Sequence, residues 1–128
     1  MTALRRVFIS QIRGAGLFGV AGRRARAALV GGQPLMIERE FENPNDRNAL
    51  RLCDLHGAPV GYVARETAAK VAPLMDSGVV FTACVHRRQE SNRMAVARIS
   101  EEGAAVDHSI KAQSDRFLMN YYRKLLDA

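Results

Sequence analysis

The 128-residue sequence has no tryptophan, two cysteines, three histidines, and no acidic residue before Glu38. Each scarcity excludes something. Cys53 and Cys84 have no CxxC spacing around them and lie in apolar, β-rich stretches, so they read as buried reduced thiols rather than a redox or zinc motif. His56, His86 and His108 are scattered, and none pairs with a cysteine or carboxylate at ligand spacing, so neither a metal nor a cofactor is expected. No GxSxG motif occurs, and Ser10, Ser77 and the cysteines have no evident base beside them, which leaves nucleophilic catalysis without support and predicts a non-enzyme. No apolar run approaches the roughly 20 residues that a bilayer requires, so no membrane partner is expected. Met1–Arg6 lacks the apolar stretch of a signal peptide, and a cytoplasmic location is the expectation.

What is present is an ordinary soluble composition, 48% hydrophobic and 25% charged, in a chain of single-domain length. Its charge is lopsided. Arg5, Arg6, Arg13, Arg23, Arg24 and Arg26 precede Glu38, whereas the remaining thirteen Lys and Arg balance the thirteen acids. The formal +6 therefore belongs to residues 1–37. Such a segment is the electrostatic footprint of a nucleic-acid binder, and equally the solvated face of a basic protein.

Short β-rich runs dominate the chain: residues 7–12, 35–39, 49–54, 58–63, 79–86 and 94–99 read as six strands. Gly57 supplies a hairpin turn, and Pro59 places the start of its strand at an edge or bulge. Helical patterns cover 23–30, ending at Gly31-Gly32, and 64–72, after which Pro73 opens a second turn to Asp76. Residues 87–93 read as a polar hairpin loop. From Ser109 to Leu126, apolar residues recur at three- and four-residue spacing, the pattern of an amphipathic helix. Short strands with Gly and Pro turns predict a mainly β fold: a small OB-like or SH3-like six-stranded barrel over residues 1–100, with residues 101–128 a helical extension packed on it or on a partner.

Two segments invite a functional reading. Gly14, Gly16 and Gly19 match the bare G-x-G-x-x-G pattern, but no acid follows a second parallel strand and the chain is too short for a dinucleotide fold, so these glycines are read as shaping a loop. The other segment is Asn43-Pro44-Asn45-Asp46-Arg47-Asn48, a polar knot between two strands. Pro44 fixes its own φ and extends Asn43, while the Asn and Asp side chains can bond nearby backbone. Asp46 can serve its own loop in this way, or accept from a hydroxyl such as a sugar OH at a strand end. Glu38, Glu40, Glu42 and Asp46 include a period-two acidic series, read as a solvated strand face rather than a magnesium site. Phe18 and Tyr62 can stack bases or face the core. Arg65, at a helix start, can meet a phosphate.

With these residues in view, the chain from about Val7 to His86 resembles the HIRAN domain family. The resemblance is carried by Gly16-Leu17-Phe18-Gly19, by Arg39-Glu40-Phe41-Glu42-Asn43-Pro44-Asn45-Asp46-Arg47-Asn48-Ala49-Leu50, by Gly57-Ala58-Pro59-Val60-Gly61-Tyr62-Val63, and by the alanine-rich helix ending at Asp76-Ser77-Gly78. It implies an OB-related barrel that captures single-stranded DNA at its 3′-OH end, in processes related to DNA repair and replication. Asn43 and Asp46 would line the pocket, with Asp46 accepting from the 3′-OH. Tyr62 would lie beside the terminal nucleotide, Phe18 would form part of the aromatic wall, and Arg65 would contact phosphate. The chain departs from the family pattern at Asn45 and Leu17, where aromatics are common, and at Gly16, which replaces a basic residue. Arg23, Arg24 and Arg26 add a basic stretch beside the site. The alternative expectation is a protein-interaction module, forming a homodimer or binding a partner through the Phe117, Tyr121 and Leu125 face of the last helix.

Overall fold

The computed structural model describes residues 5–89, 94–103 and 108–127. Six strands run through the chain: β1 (Val7–Arg13), β2 (Pro34–Arg39), β3 (Leu50–Cys53), β4 (Pro59–Val63), β5 (Phe81–Gln89) and β6 (Met94–Glu101). They close into a barrel in the order β1-β4-β3-β2-β5-β6, every neighbouring pair antiparallel and β6 returning to β1. Closure removes the unpaired edges that short strands would otherwise expose. Three α-helices accompany the barrel: α1 (Gly19–Ala27), α2 (Arg65–Asp76) and α3 (His108–Asp127). Among the described residues, no helix is long and apolar enough to cross a membrane.

The interior follows from period-two patterning. Leu50 and Leu52 of β3, Val60 of β4, Val85 of β5, and Ala97 and Ile99 of β6 are all fully buried. Each fully buried Leu, Ile or Val contributes about 1.5–3 kcal/mol relative to exposure. Ala68, Val71 and Ala72 sit at i, i+3 and i+4 on α2 and add its buried stripe to the same core. Alanines there let the helix backbone approach closely. Leu29, after the end of α1, is also buried in this core.

Several local expectations give way to tertiary context. The glycine segment is no loop: Ala15–Phe18 forms a 3-10 turn that runs into α1 at Gly19. Gly14, left-handed at φ 75°, and Gly19, at φ 68° with an extended ψ, take positive-φ conformations at the two junctions. The helix expected over 23–30 therefore starts earlier and stops at Ala27, because Leu29 must leave the helix to reach the core. Pro73 does not open a second turn but lies inside a continuous α2. Its ring deprives only Ala69 of a donor, and Ala69 and Pro73 both lie on the exposed side, where water can serve the freed carbonyl. Val79 is not in a strand, since its amide bonds the Leu74 carbonyl at 3.0 Å and completes the end of α2.

β5 continues through Gln89, so residues 87–89 of the expected polar loop are strand, and 90–93 lie outside the described residues. β6 extends to Glu101, whose carboxylate accepts from the Arg6 amide at 2.9 Å and pairs with Arg5 and Arg6. Pro59 begins β4 beside a register shift at Leu52/Cys53, as its missing N–H requires. Cys53 is buried, and burial pushes its thiol pKa up, whereas Cys84, expected to be buried as well, is half-buried.

Candidate functional site

The Asn43–Asn48 loop leaves β2 and returns to β3, held at its base where the Glu40 amide bonds the Ala49 carbonyl at 3.0 Å. Its side chains build it from within. Asn43 Oδ1 accepts from the amides of Asn45 and Asp46, at 2.9 and 3.1 Å. Asp46 Oδ1 accepts from the Asn48 amide at 2.9 Å. Both are Asx bonds of the kind the sequence allows, and each fixes a carbonyl-like group where a mobile loop would blur it. One Asp46 oxygen is thus engaged by the loop. The other, Oδ2, has Arg65 Nε 3.9 Å away, within ion-pair range but too long for a hydrogen bond.

Glu40 ties this loop to the barrel wall. Its Oε1 accepts from Asn43 Nδ2 at 3.1 Å and from the Tyr62 hydroxyl at 2.9 Å. Burial, then the hydrogen bond and charge of Glu40, push the Tyr62 phenol up to about 12. Tyr62 also stacks on Phe18, with ring centroids 5.5 Å apart and planes 22° apart. The two aromatics thus form one wall, half-buried, neither of them wholly in the core. Arg65, at the first turn of α2, donates from Nη2 to the Asn45 carbonyl at 3.0 Å while its side chain remains 70% exposed.

These elements enclose a cleft of about 230 Å³ lined by Asn43, Asn45, Asp46, Tyr62, Arg65 and Arg13, with Leu17 and Gly14 beside them. Four expected site residues (Asn43, Asp46, Tyr62 and Arg65) line it together, and Phe18 backs Tyr62. Arg23, Arg24 and Arg26 do not line it. They project from different sides of α1: Arg23 and Arg24 are exposed, whereas Arg26 is half-buried in a neighbouring hollow. Arg13 was not expected there. Only the register identifies it, for Arg13 pairs with Tyr62 across β1 and β4.

The acidic series does not converge on a metal. Glu38 and Glu40 flank Arg51, whose pKa is raised chiefly by its hydrogen bond to Glu38, while Asp46 faces Arg65. Among the described residues, no group of three or more His, Cys, Asp or Glu can hold a metal ion. His56 is a turn residue, its amide bonding Asp54 Oδ1 at 2.9 Å, and its ring lies 5.2 Å from that of Tyr121 on α3. His86, expected at the surface, is half-buried, and its Nδ1 has no hydrogen-bond partner among the described residues. The His108 side chain lies outside the described residues.

The fold and cleft define a small closed β-barrel with a polar loop and a cation at its rim. The chain belongs to the HIRAN domain family, whose model matches residues 14–102. It is 37% identical over 59 residues to the helicase-like transcription factor of Mus musculus and 36% identical over 59 residues to that of Oryctolagus cuniculus. The match covers 45% of this chain but spans only 6% of the length of those relatives. Among solved structures, a Lactobacillus plantarum protein superposes with a TM-score of 0.67 at 22% identity, covering 78% of this chain and 95% of that one. The HIRAN domain of human HLTF superposes with a TM-score of 0.60 at 21% identity, covering 85% of this chain and 84% of that one. Both share the fold.

Proposed function

We propose that this protein is a non-catalytic DNA-binding module that takes the 3′-OH end of single-stranded DNA into the cleft beside Asp46. One observation carries the reading: Asp46 lines the cleft with Oδ1 held by the Asn48 amide, while Oδ2 accepts no hydrogen bond among the described residues and has Arg65 Nε 3.9 Å away. A fixed carboxylate oxygen with acceptor capacity to spare suits a hydroxyl and repels a terminal phosphate. Membership of the HIRAN family supports a nucleic-acid partner. Asn43 sets the loop that presents Asp46, the Phe18–Tyr62 wall flanks the terminal nucleotide, and the exposed Arg65 guanidinium meets phosphate. Arg23, Arg24 and Arg26 strengthen the attractive field from outside the cleft.

Fluorescence anisotropy with short oligonucleotides ending in 3′-OH or 3′-phosphate tests the reading. The 3′-OH strand is expected to bind at least about tenfold more tightly, and Asp46→Ala to remove most of that preference. Equal binding of the two ends by the unaltered protein would refute it.

A second reading concerns α3, where Met119, Tyr122, Leu125 and Leu126 are 64%, 58%, 55% and 85% exposed. Such a run of exposed apolar side chains supports residues 101–128 acting as a helical extension that associates with a second copy or a protein partner. Light scattering is expected to show a dimer that Leu125→Asp dissociates. A monomer with this chain alone would remove the homodimer and leave only the partner version.

A further inference from the structure

Two hollows that share lining residues with the cleft differ in charge. One, of about 310 Å³, shares Arg13 and Gly14 and is lined also by Gln11, Ile12, Arg26 and Ala95. The other, of about 600 Å³, shares Asn43 and Tyr62 and is lined also by Glu40, Phe41, Glu42 and Pro44. Among the described residues that line them, the first hollow presents the guanidinium groups of Arg13 and Arg26, and the second the carboxylates of Glu42 and of Glu40, which has Arg51 3.6 Å away.

We propose that the bound strand leaves the cleft by the first hollow, with Arg13 and then Arg26 holding the phosphates that follow the terminal nucleotide. The inference rests on the end-capture reading, which places one strand terminus at Asp46. A polyanion leaving that point meets these two concave routes among the described residues. Along the Glu40–Glu42 route a phosphate approaches the exposed Glu42 carboxylate and a Glu40 shared with Arg51; along the Arg13–Arg26 route it approaches guanidinium groups. Arg13 is exposed, so its guanidinium is free to follow the backbone, and Gly14 between the two hollows presents no Cβ to the passing strand. The α1 arginine that matters is therefore Arg26, the only one of the three expected there that lines either hollow. Arg13 also brings a cation to the cleft whose glycine turn has Gly16 in place of a basic residue.

The test measures anisotropy with 5′-labelled oligothymidylates of two and six nucleotides ending in 3′-OH, across salt from about 50 to 300 mM. Arg13→Ala is expected to weaken the six-nucleotide strand roughly tenfold at the low-salt end. It should also flatten the slope of log K against log salt by about 0.7, the loss of one phosphate contact on a single strand. The two-nucleotide strand should change by less than about twofold, since its single phosphate lies beside Arg65. Glu42→Arg, on the opposite route, should leave the slope unchanged. An unchanged slope in Arg13→Ala, or a slope that Glu42→Arg steepens, overturns the route. Arg26→Ala should repeat the Arg13 result; because Arg26 is half-buried it is scored only if its melting temperature is retained, and Arg13 decides alone otherwise. A retained 3′-OH over 3′-phosphate preference alongside a null Arg13 result overturns the route and spares end capture; loss of that preference in the unaltered protein overturns both.

Discussion

Gly22→Ala sets two effects against each other, and the structure decides the sign. Gly22 lies in the middle of α1, where exchanging Gly for Ala ordinarily stabilises by about 1 kcal/mol through helix propensity and reduced unfolded-state freedom. Here, however, an added Cβ would stand 2.5 Å from Phe18 Cβ and 2.6 Å from the Ala15 carbonyl oxygen. Carbon contacts settle near 3.5–4.0 Å, so about 1 Å must be found at two points. Both points are rooted in backbone, one in the carbonyl and the other in the first side-chain carbon, so no rotamer change relieves them. Forced core overlaps of this kind cost about 1–3 kcal/mol, and the absence of a flexible neighbour places this one at the upper end or above. The net expectation is destabilisation by about 1–2 kcal/mol, read as a lower urea midpoint at unchanged m-value. Relief that moves Phe18 also disturbs its stack on Tyr62, so DNA binding should weaken in the same variant. A Gly22→Ala protein as stable as the parent, or more so, would refute the close-packing argument and leave propensity as the winner.

Other consequences are as direct. Leu50→Ala, at a fully buried position, should cost about 2–5 kcal/mol by denaturant titration, since the closed barrel can collapse only partly around the hole. Tyr62 has a phenol raised above its unfolded value, so its contribution is complete below about pH 10 and is lost as pH rises towards about 12. Tyr62→Phe should lose about 1 kcal/mol at neutral pH and show a flatter alkaline decline in melting temperature. Glu101 has the opposite sign: the Arg6 amide, then the Arg6 and Arg5 charges, hold its carboxyl below the usual value of 4.5, so its contribution is present above that pH and disappears as pH falls through the folded value. Glu101→Gln should accordingly melt lower than the parent near pH 7 and converge with it in acid.

Much of the barrel could be read directly. Short runs rich in β-branched and aromatic residues, broken by Gly57 and Pro59, are a local pattern, and the six strands were legible from it. The strand ends were less so. Val79 has a strand-forming side chain but spends its amide on α2, and Glu101 joins β6 because Arg6, just before the neighbouring strand β1, bonds it. The glycine segment misled for a related reason: Gly14, Gly16 and Gly19 signal a loop on propensity, yet Gly14 and Gly19 mark the ends of a 3-10 turn, and Gly22 beyond them lets that turn pack closely on α1.

For the site, the sequence by itself determined the loop. Asn43, Pro44, Asp46 and Asn48 act on backbone within a few residues, so their geometry follows from their order in the chain. The motif then located Tyr62 and Arg65 as companions. What only the tertiary structure decided is which distant groups share the cleft. Arg13 arrives through its register with Tyr62, Glu40 becomes the acceptor that joins the loop to that tyrosine, and Phe18 finds Tyr62 as its stacking partner. Sorting the basic residues was equally a matter of three dimensions, because charge along the chain gives their sum while barrel closure sets their positions. Local hydrogen bonds are encoded locally; a cleft wall assembled from residues 13, 18, 46 and 62 is encoded only by the packing that brings them together.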